Sequence, residues 1–219
     1  MFWKKQQLNY QLEKEVPLRT PFRDLTFTIF DTEATGFAIS SHDRLIELAA
    51  VQVSNLEVNS NYFQTYVNPQ RSIPDDIIEL TGITAERVKH APDSLEAIEQ
   101  FFQFTEAGNS HALVGHYVSF DMMVLKKELQ RHRYRFRPPL CIDTLDLIGY
   151  ISPSKDMRDL ETYAKQFGTR IYERHQALGD AMTTAHLFCE LLTMLESYGK
   201  GTLADLVDIS SMTQRALQF

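Results

Sequence analysis

An α/β fold, with a mixed central sheet and helices on both faces, is what this 219-residue sequence predicts, from three observations. Three β-like runs follow one another closely between residues 25 and 67, and short connections make them an antiparallel meander. Two further apolar runs, 112–115 and 140–143, alternate with stretches of helical periodicity, the pattern of parallel strands joined by helices. A long amphipathic segment then runs from Ala177 to Tyr198 and is stopped by Gly199 and Gly201.

The elements follow in chain order. Phe2, Trp3, Leu8, Leu12 and Val16 recur at roughly helical spacing before Pro17 and Pro21, so residues 1–22 are expected to be an amphipathic helical extension. The main domain is expected over 23–199. Its strands are 25–31, 44–53, 62–67, 112–115 and 140–143. Residues 74–89 suggest short helical turns around Leu80-Thr81-Gly82-Ile83-Thr84. Ser94 is the expected cap of a helix reaching Phe104, with Leu95, Ile98, Phe101 and Phe102 inward. A helix starts close to Asp121 with Met122, Leu125 and Leu129 on one side. Another starts near Asp159, carries Leu160, Tyr163 and Phe167, and ends at Gly168. The tail, 200–219, is expected to add a short helix.

Composition narrows the function. A net charge of −7 argues against broad coating of nucleic acid, which needs many phosphate contacts. It leaves room for an enzyme that grips a few nucleotides. No apolar run approaches the roughly 20 residues of a membrane span, and Lys4 and Lys5 are not followed by the apolar stretch of a signal peptide. Cys141 and Cys189 lie among apolar neighbours and read as buried thiols, so a cytoplasmic setting is expected.

The chemistry begins at Phe27-Thr28-Ile29-Phe30-Asp31-Thr32-Glu33. Side chains alternate along a strand, so Asp31 and Glu33 emerge on one face. Two adjacent carboxylates repel, and a hard divalent cation resolves the conflict. Asp121 and Asp180 each fall at a helix start, where an acid also complements the helix dipole. His175 lies five residues before Asp180, on a loop from which an imidazole can take a proton near neutral pH.

Taken in order, Asp-x-Glu in DTEATG, Asp in LVGHYVSFD and His-x4-Asp in HQALGD resemble the DEDDh 3′–5′ exonuclease family. The resemblance covers about residues 25–195, including the LTGIT segment. It implies a ribonuclease H-like fold with a five-stranded sheet, three antiparallel strands followed by two parallel ones. It implies that Asp31, Glu33, Asp121 and Asp180 place two Mg²⁺ or Mn²⁺ ions, with His175 as general base. The implied substrate is a single-stranded 3′ end, DNA ahead of RNA, releasing nucleoside 5′-monophosphates. Backbone groups of Ala34, Thr35 and Gly36 would hold the terminal nucleotide. Phe37 and Leu80 would stack on its bases, or else pack in the core. An RNA-trimming enzyme and a non-catalytic subunit docked on a DNA polymerase are the alternatives, and both terminal extensions would suit docking. Two departures are visible: the usual His-Asn-Ala is here His116-Tyr117-Val118, and Ala34 replaces a common Thr. The basic stretch around Arg131, Arg133 and Arg135 reads either as a contact to the nucleic-acid backbone or as a solvated helix end.

Overall fold

The computed structural model describes residues 6–8, 10, 16–153 and 159–216. Its main sheet has five strands: β2 (Thr26–Ala34), β3 (Leu45–Ser54), β4 (Glu57–Tyr66), β5 (Ala112–Gly115) and β7 (Cys141–Asp143), in the order β4-β3-β2-β5-β7. The first three pair antiparallel, and β2–β5 and β5–β7 pair parallel, as the sequence predicts. Strand β4 starts earlier than expected, because Asn55 and Leu56 both take positive φ and close a two-residue hairpin directly after β3.

Alternation along β2 decides which helix meets which side chain. Phe27 and Ile29 are fully buried in the core beneath α7 (Ala177–Ser197) and α5 (Thr144–Ile151). Phe30 and Ala34 belong to the opposite core, under α3 (Ser94–Ala107) and α4 (Val118–Arg131). Phe27, Ile29 and Phe30 each contribute about 1.5–3 kcal/mol by leaving water. By the same parity Asp31 and Glu33 fall on the α7 face, and Thr32 on the α4 face.

Two short helices, α1 (Asp75–Thr81) and α2 (Ala85–Val88), build a satellite core from Ile46, Ile73, Ile77, Ile83 and Val88. Helix α6 (Leu160–Gln166) is capped by Asp159, as the sequence suggests. Helix α8 (Leu203–Ala216) is not a loose tail, since Leu203, Leu206 and Ile209 are buried in the core under α7.

Several local expectations change. At the N-terminus, Gln6–Gln7 form a strand, β1, paired in parallel with β6 (Tyr134–Arg135), so the expected helix does not run through them. Residues 1–5, 9 and 11–15 of that expected helix lie outside the described residues. The cap of α3 is Asp93, which accepts from the amides of Leu95 and Glu96. Ser94 points into the core instead, where its hydroxyl donates to Glu128 Oε2 at 2.7 Å. Helix α5 was not read from the sequence. Its eight residues, TLDLIGYI, are too short and too uniformly apolar for periodicity to tell helix from strand.

Candidate active site

Strand β5 pairs with β2 only as far as Ile29, so β2 projects beyond its parallel neighbour. The open end is where side chains gather. Asp31 and Glu33 meet Asp180, from the first turn of α7, with ligand oxygens of all three within 4.8 Å of one another. Among the described residues this is the group that could hold a metal ion. Asp121, from the first turn of α4, arrives from the other side of the sheet. Its Oδ1 accepts from the Thr32 amide at 2.9 Å and from the Thr32 hydroxyl at 2.6 Å. One oxygen of Asp121 is thereby tied to the residue between the two strand carboxylates.

Neither of these helices supplies its own side-chain cap. Each borrows a carboxylate from a distant strand, buried in the case of Glu47 and half-buried in that of Asp143. Glu47 on β3, opposite Glu33, accepts from the Ala177 amide at 3.0 Å and holds the start of α7. Asp143, at the end of β7, accepts from the amides of Tyr117 and Val118, both at 2.9 Å, and holds the start of α4. It also caps α5 through Leu145. A carboxylate at a helix N-terminus satisfies orphan amides and complements the dipole. Glu47 and Asp143 therefore fix Asp180 and Asp121. Neither was singled out from the sequence. The one available signal was Glu47, a lone charge inside the apolar run Leu45 to Val53.

Crowding shows in the electrostatics. Burial, with the charges of Asp121 and Glu33 beside it, raises the Asp31 carboxyl well above its ordinary range. Burial and Glu47 raise Glu33 from 4.5 to about 8, and burial raises Asp121 from 3.8 to about 7. Arg174 opposes this, lowering both Asp31 and Glu33, and its guanidinium donates to Asp180 Oδ1. Because the folded chain keeps protons on these acids that the unfolded chain releases at lower pH, folding loses stability as pH rises from about 4.5 through 8. In EDTA the melting temperature is thus expected to fall between pH 5 and 8, and saturating Mg²⁺ to level the curve. An EDTA curve already level over that range contradicts this electrostatic picture.

His175 is exposed, on the loop before α7, with its backbone in the left-handed region at φ 60°. Its amide donates to Asp180 Oδ2 at 3.1 Å. Partial burial and the nearby Arg174 lower its pKa below 6.5, against Asp159 and Glu161, which act to raise it. Gly179 allows this loop to lie on α7, since a Cβ there would run into the Glu173 carbonyl. His116 is neutral, its pKa lowered to about 4 by burial, and its Nδ1 is 2.8 Å from the Thr144 hydroxyl.

The loop after β2 is clamped from two sides. Asp43 bonds the Thr35 hydroxyl and the Ala38 amide and pairs with Arg71. Gly36 is required beneath it: φ is 150°, and a Cβ would stand 2.5 Å from Asp43 Oδ2. Buried Glu128 binds Arg44 through three hydrogen bonds and Arg131 through one, and Arg131 also donates to the Ile39 carbonyl. Arg131 is thus engaged in holding this loop, which removes it from the proposed backbone-contacting trio. Arg133 and Arg135 are exposed. What the clamped loop presents is Phe37, 84% exposed, its ring centroid 5.8 Å from that of Phe120. Leu80 is 46% exposed on the outer side of α1. Neither Phe37 nor Leu80 is a core residue. Tyr117, at φ 60°, is exposed at the start of α4.

Comparison with known proteins places the chain in a family. A family model described as an exonuclease matches residues 28–188. The chain is 34% identical over 170 residues to a DNA polymerase III PolC-type protein of Oceanobacillus iheyensis, a match covering 78% of this chain and 12% of that one. It is 34% identical over 186 residues to a DNA polymerase III subunit epsilon-like protein of Rhodobacter capsulatus, covering 84% and 26%. The chain therefore spans about an eighth to a quarter of the length of these relatives. Among solved structures it superposes on exonuclease X in complex with 5′ overhanging duplex DNA, with a TM-score of 0.64 at 23% identity, covering 84% and 99% of the two chains. The nuclease domain of 3′hExo, a DEDDh family member bound to rAMP, gives a TM-score of 0.67 at 21% identity, covering 83% and 96%. These likenesses carry the ribonuclease H-like fold expected from the sequence. No helix among the described residues is long and apolar enough to cross a membrane.

Proposed function

Because the chain belongs to the exonuclease family, the 3′–5′ DEDDh group its motifs resemble, we propose that it releases nucleoside 5′-monophosphates from single-stranded 3′ ends, with DNA ahead of RNA. The observation that carries this reading is the convergence of Asp31, Glu33 and Asp180 within 4.8 Å, with Asp121 bonded between the strand acids. Four hard oxygen donors suit Mg²⁺ or Mn²⁺. The raised pKa values of Asp31, Glu33 and Asp121 mark a charge deficit that cations would fill. Two such ions, when bound, would neutralise the scissile phosphate and lower the pKa of the attacking water.

The chain's own groups do the rest. His175 is neutral at physiological pH, its amide is bonded to Asp180 and its side chain is exposed on the loop, so it suits the general base that accepts the water's proton. Backbone groups of Ala34, the last residue of β2, and of Thr35 and Gly36 on the clamped loop are suited to hold the terminal nucleotide. Phe37 and Leu80 offer exposed apolar surface for its bases. Replacing Phe37 by Ala is expected to raise KM for single-stranded DNA roughly tenfold, within the 1–3 kcal/mol range of base stacking, with kcat much less affected. Steady-state kinetics on a short oligonucleotide read this directly.

The proposal is tested with 5′-labelled single-stranded DNA and RNA, in Mg²⁺ and in EDTA. Stepwise shortening from the 3′ end in Mg²⁺ alone is expected, faster on DNA. Faster shortening of RNA would move the chain to the RNA-trimming alternative. Absence of shortening on both polymers would leave only a non-catalytic role. Partnership with a DNA polymerase is proposed on a separate ground, the two DNA polymerase III relatives.

A further inference from the structure

The loop before α7 brings the Arg174 side chain and the His175 amide to the acidic cluster, and the reading above uses only His175. We propose that its neighbour Arg174 is a tethered counter-cation that competes with metal for Asp180, so that metal loading and release of the His175 loop are one event. This rests on Asp31, Glu33 and Asp180 being metal ligands.

Both oxygens of Asp180 are engaged from this single loop. Arg174 Nη1 donates to Oδ1, and the His175 amide donates to Oδ2 at 3.1 Å. Asp180 is 7% exposed and the Arg174 side chain 20%, so water screens their pairing only in part. Arg174 therefore offsets the charge of the very oxygens that a divalent ion would bind. A cation on Asp180 Oδ1 would stand within ion-pairing distance of the guanidinium. Two positive centres on one oxygen repel, and the ion prevails only if Arg174 moves off.

Movement of Arg174 cannot leave His175 untouched, because the two are adjacent in the chain and both bond Asp180. The His175 backbone is held in the left-handed region, a conformation that a non-glycine residue keeps only where its surroundings impose it. Freeing Arg174 loosens one of those constraints. Arg174 is accordingly a positioning residue. It keeps the acids compensated before metal arrives and ties the general base to metal occupancy.

The test is Mn²⁺ titration calorimetry on the full chain, wild type against R174Q and R174K, with thermal melts in EDTA and in saturating Mn²⁺. R174Q is expected to bind Mn²⁺ on the order of tenfold tighter, the low end of what one adjacent charge does to a carboxylate's equilibrium. R174K, which keeps the charge, is expected to stay near wild type. In EDTA, R174Q is expected to melt below wild type, and the gap to close in Mn²⁺. A merely structural arginine would not tighten metal binding when removed. Equal or weaker Mn²⁺ binding by R174Q overturns this proposal alone, whereas absence of binding to wild type and variant alike overturns the metal site and the proposal with it. If R174Q does not fold in EDTA, Mn²⁺ but not Na⁺ of matched ionic strength should restore it, and failure to restore it counts against the idea.

Discussion

Asp31→Asn is expected to abolish Mg²⁺-dependent nucleotide release while raising the melting temperature in EDTA. Loss of even an outer-shell partner of a metal typically costs 10–100-fold, so removing a ligand should exceed ~100-fold. The stability change runs the other way. Asp31 is held well above its ordinary pKa by burial and by the charges of Asp121, Glu33 and Glu47, so in the folded chain its ionised form is strained at neutral pH. An amide of the same shape removes that repulsion. Melts of the two proteins at pH 7.5 in EDTA, beside an oligonucleotide assay in Mg²⁺, give both numbers. A variant that loses activity and also melts earlier would show that Asp31 stabilises the fold, against the charge-deficit account of the site.

His175→Asn is expected to lower kcat by about 10²–10⁴, the usual contribution of a positioned general base, without weakening Mn²⁺ binding. Asn is the informative substitution because it tolerates the left-handed backbone found at this position. The backbone amide that bonds Asp180 survives the change. Since burial and Arg174 lower the His175 pKa, the acid side of the wild-type kcat profile should extend below pH 6.5. That limb should vanish in the variant. If kcat is unchanged, the imidazole is not the proton acceptor. If Mn²⁺ binding falls as well, the substitution has disturbed Asp180.

The two variants probe parts of the site that were unequally visible in the sequence. The period-2 pattern of β2 was enough to place Asp31 and Glu33 on one face, and the structure keeps them there. Helix starts near Asp121 and Asp180 were legible because each opens an apolar stripe. The helical reading misled at Gln6–Gln7, because scattered apolar residues among polar ones look helical whenever spacing is loose. At Gln6–Gln7 the backbone instead finds an open edge at β6, a partner 128 residues away. Arg131 misled for a related reason. A basic run looks like a ligand surface until a buried acid, Glu128, is found beneath it.

By itself, the sequence determined the antiparallel meander and the presence of the helices around it, because both follow from short-range periodicity and residue type, while the set Asp31, Glu33, Asp121 and Asp180 was named by the resemblance of its motifs to a known family. Only the tertiary structure decided how those acids meet. Asp180 reaches the strand pair from the face that α7 covers, whereas Asp121 comes round the end of β5 and bonds Thr32. Which carboxylate caps which helix, Glu47 for α7 and Asp143 for α4, and which cation offsets the cluster, Arg174, were likewise settled by contacts that the tertiary fold creates. The physical reason is that propensity and periodicity act over a few residues. A buried charge is stabilised instead by whatever the completed fold brings within hydrogen-bonding reach.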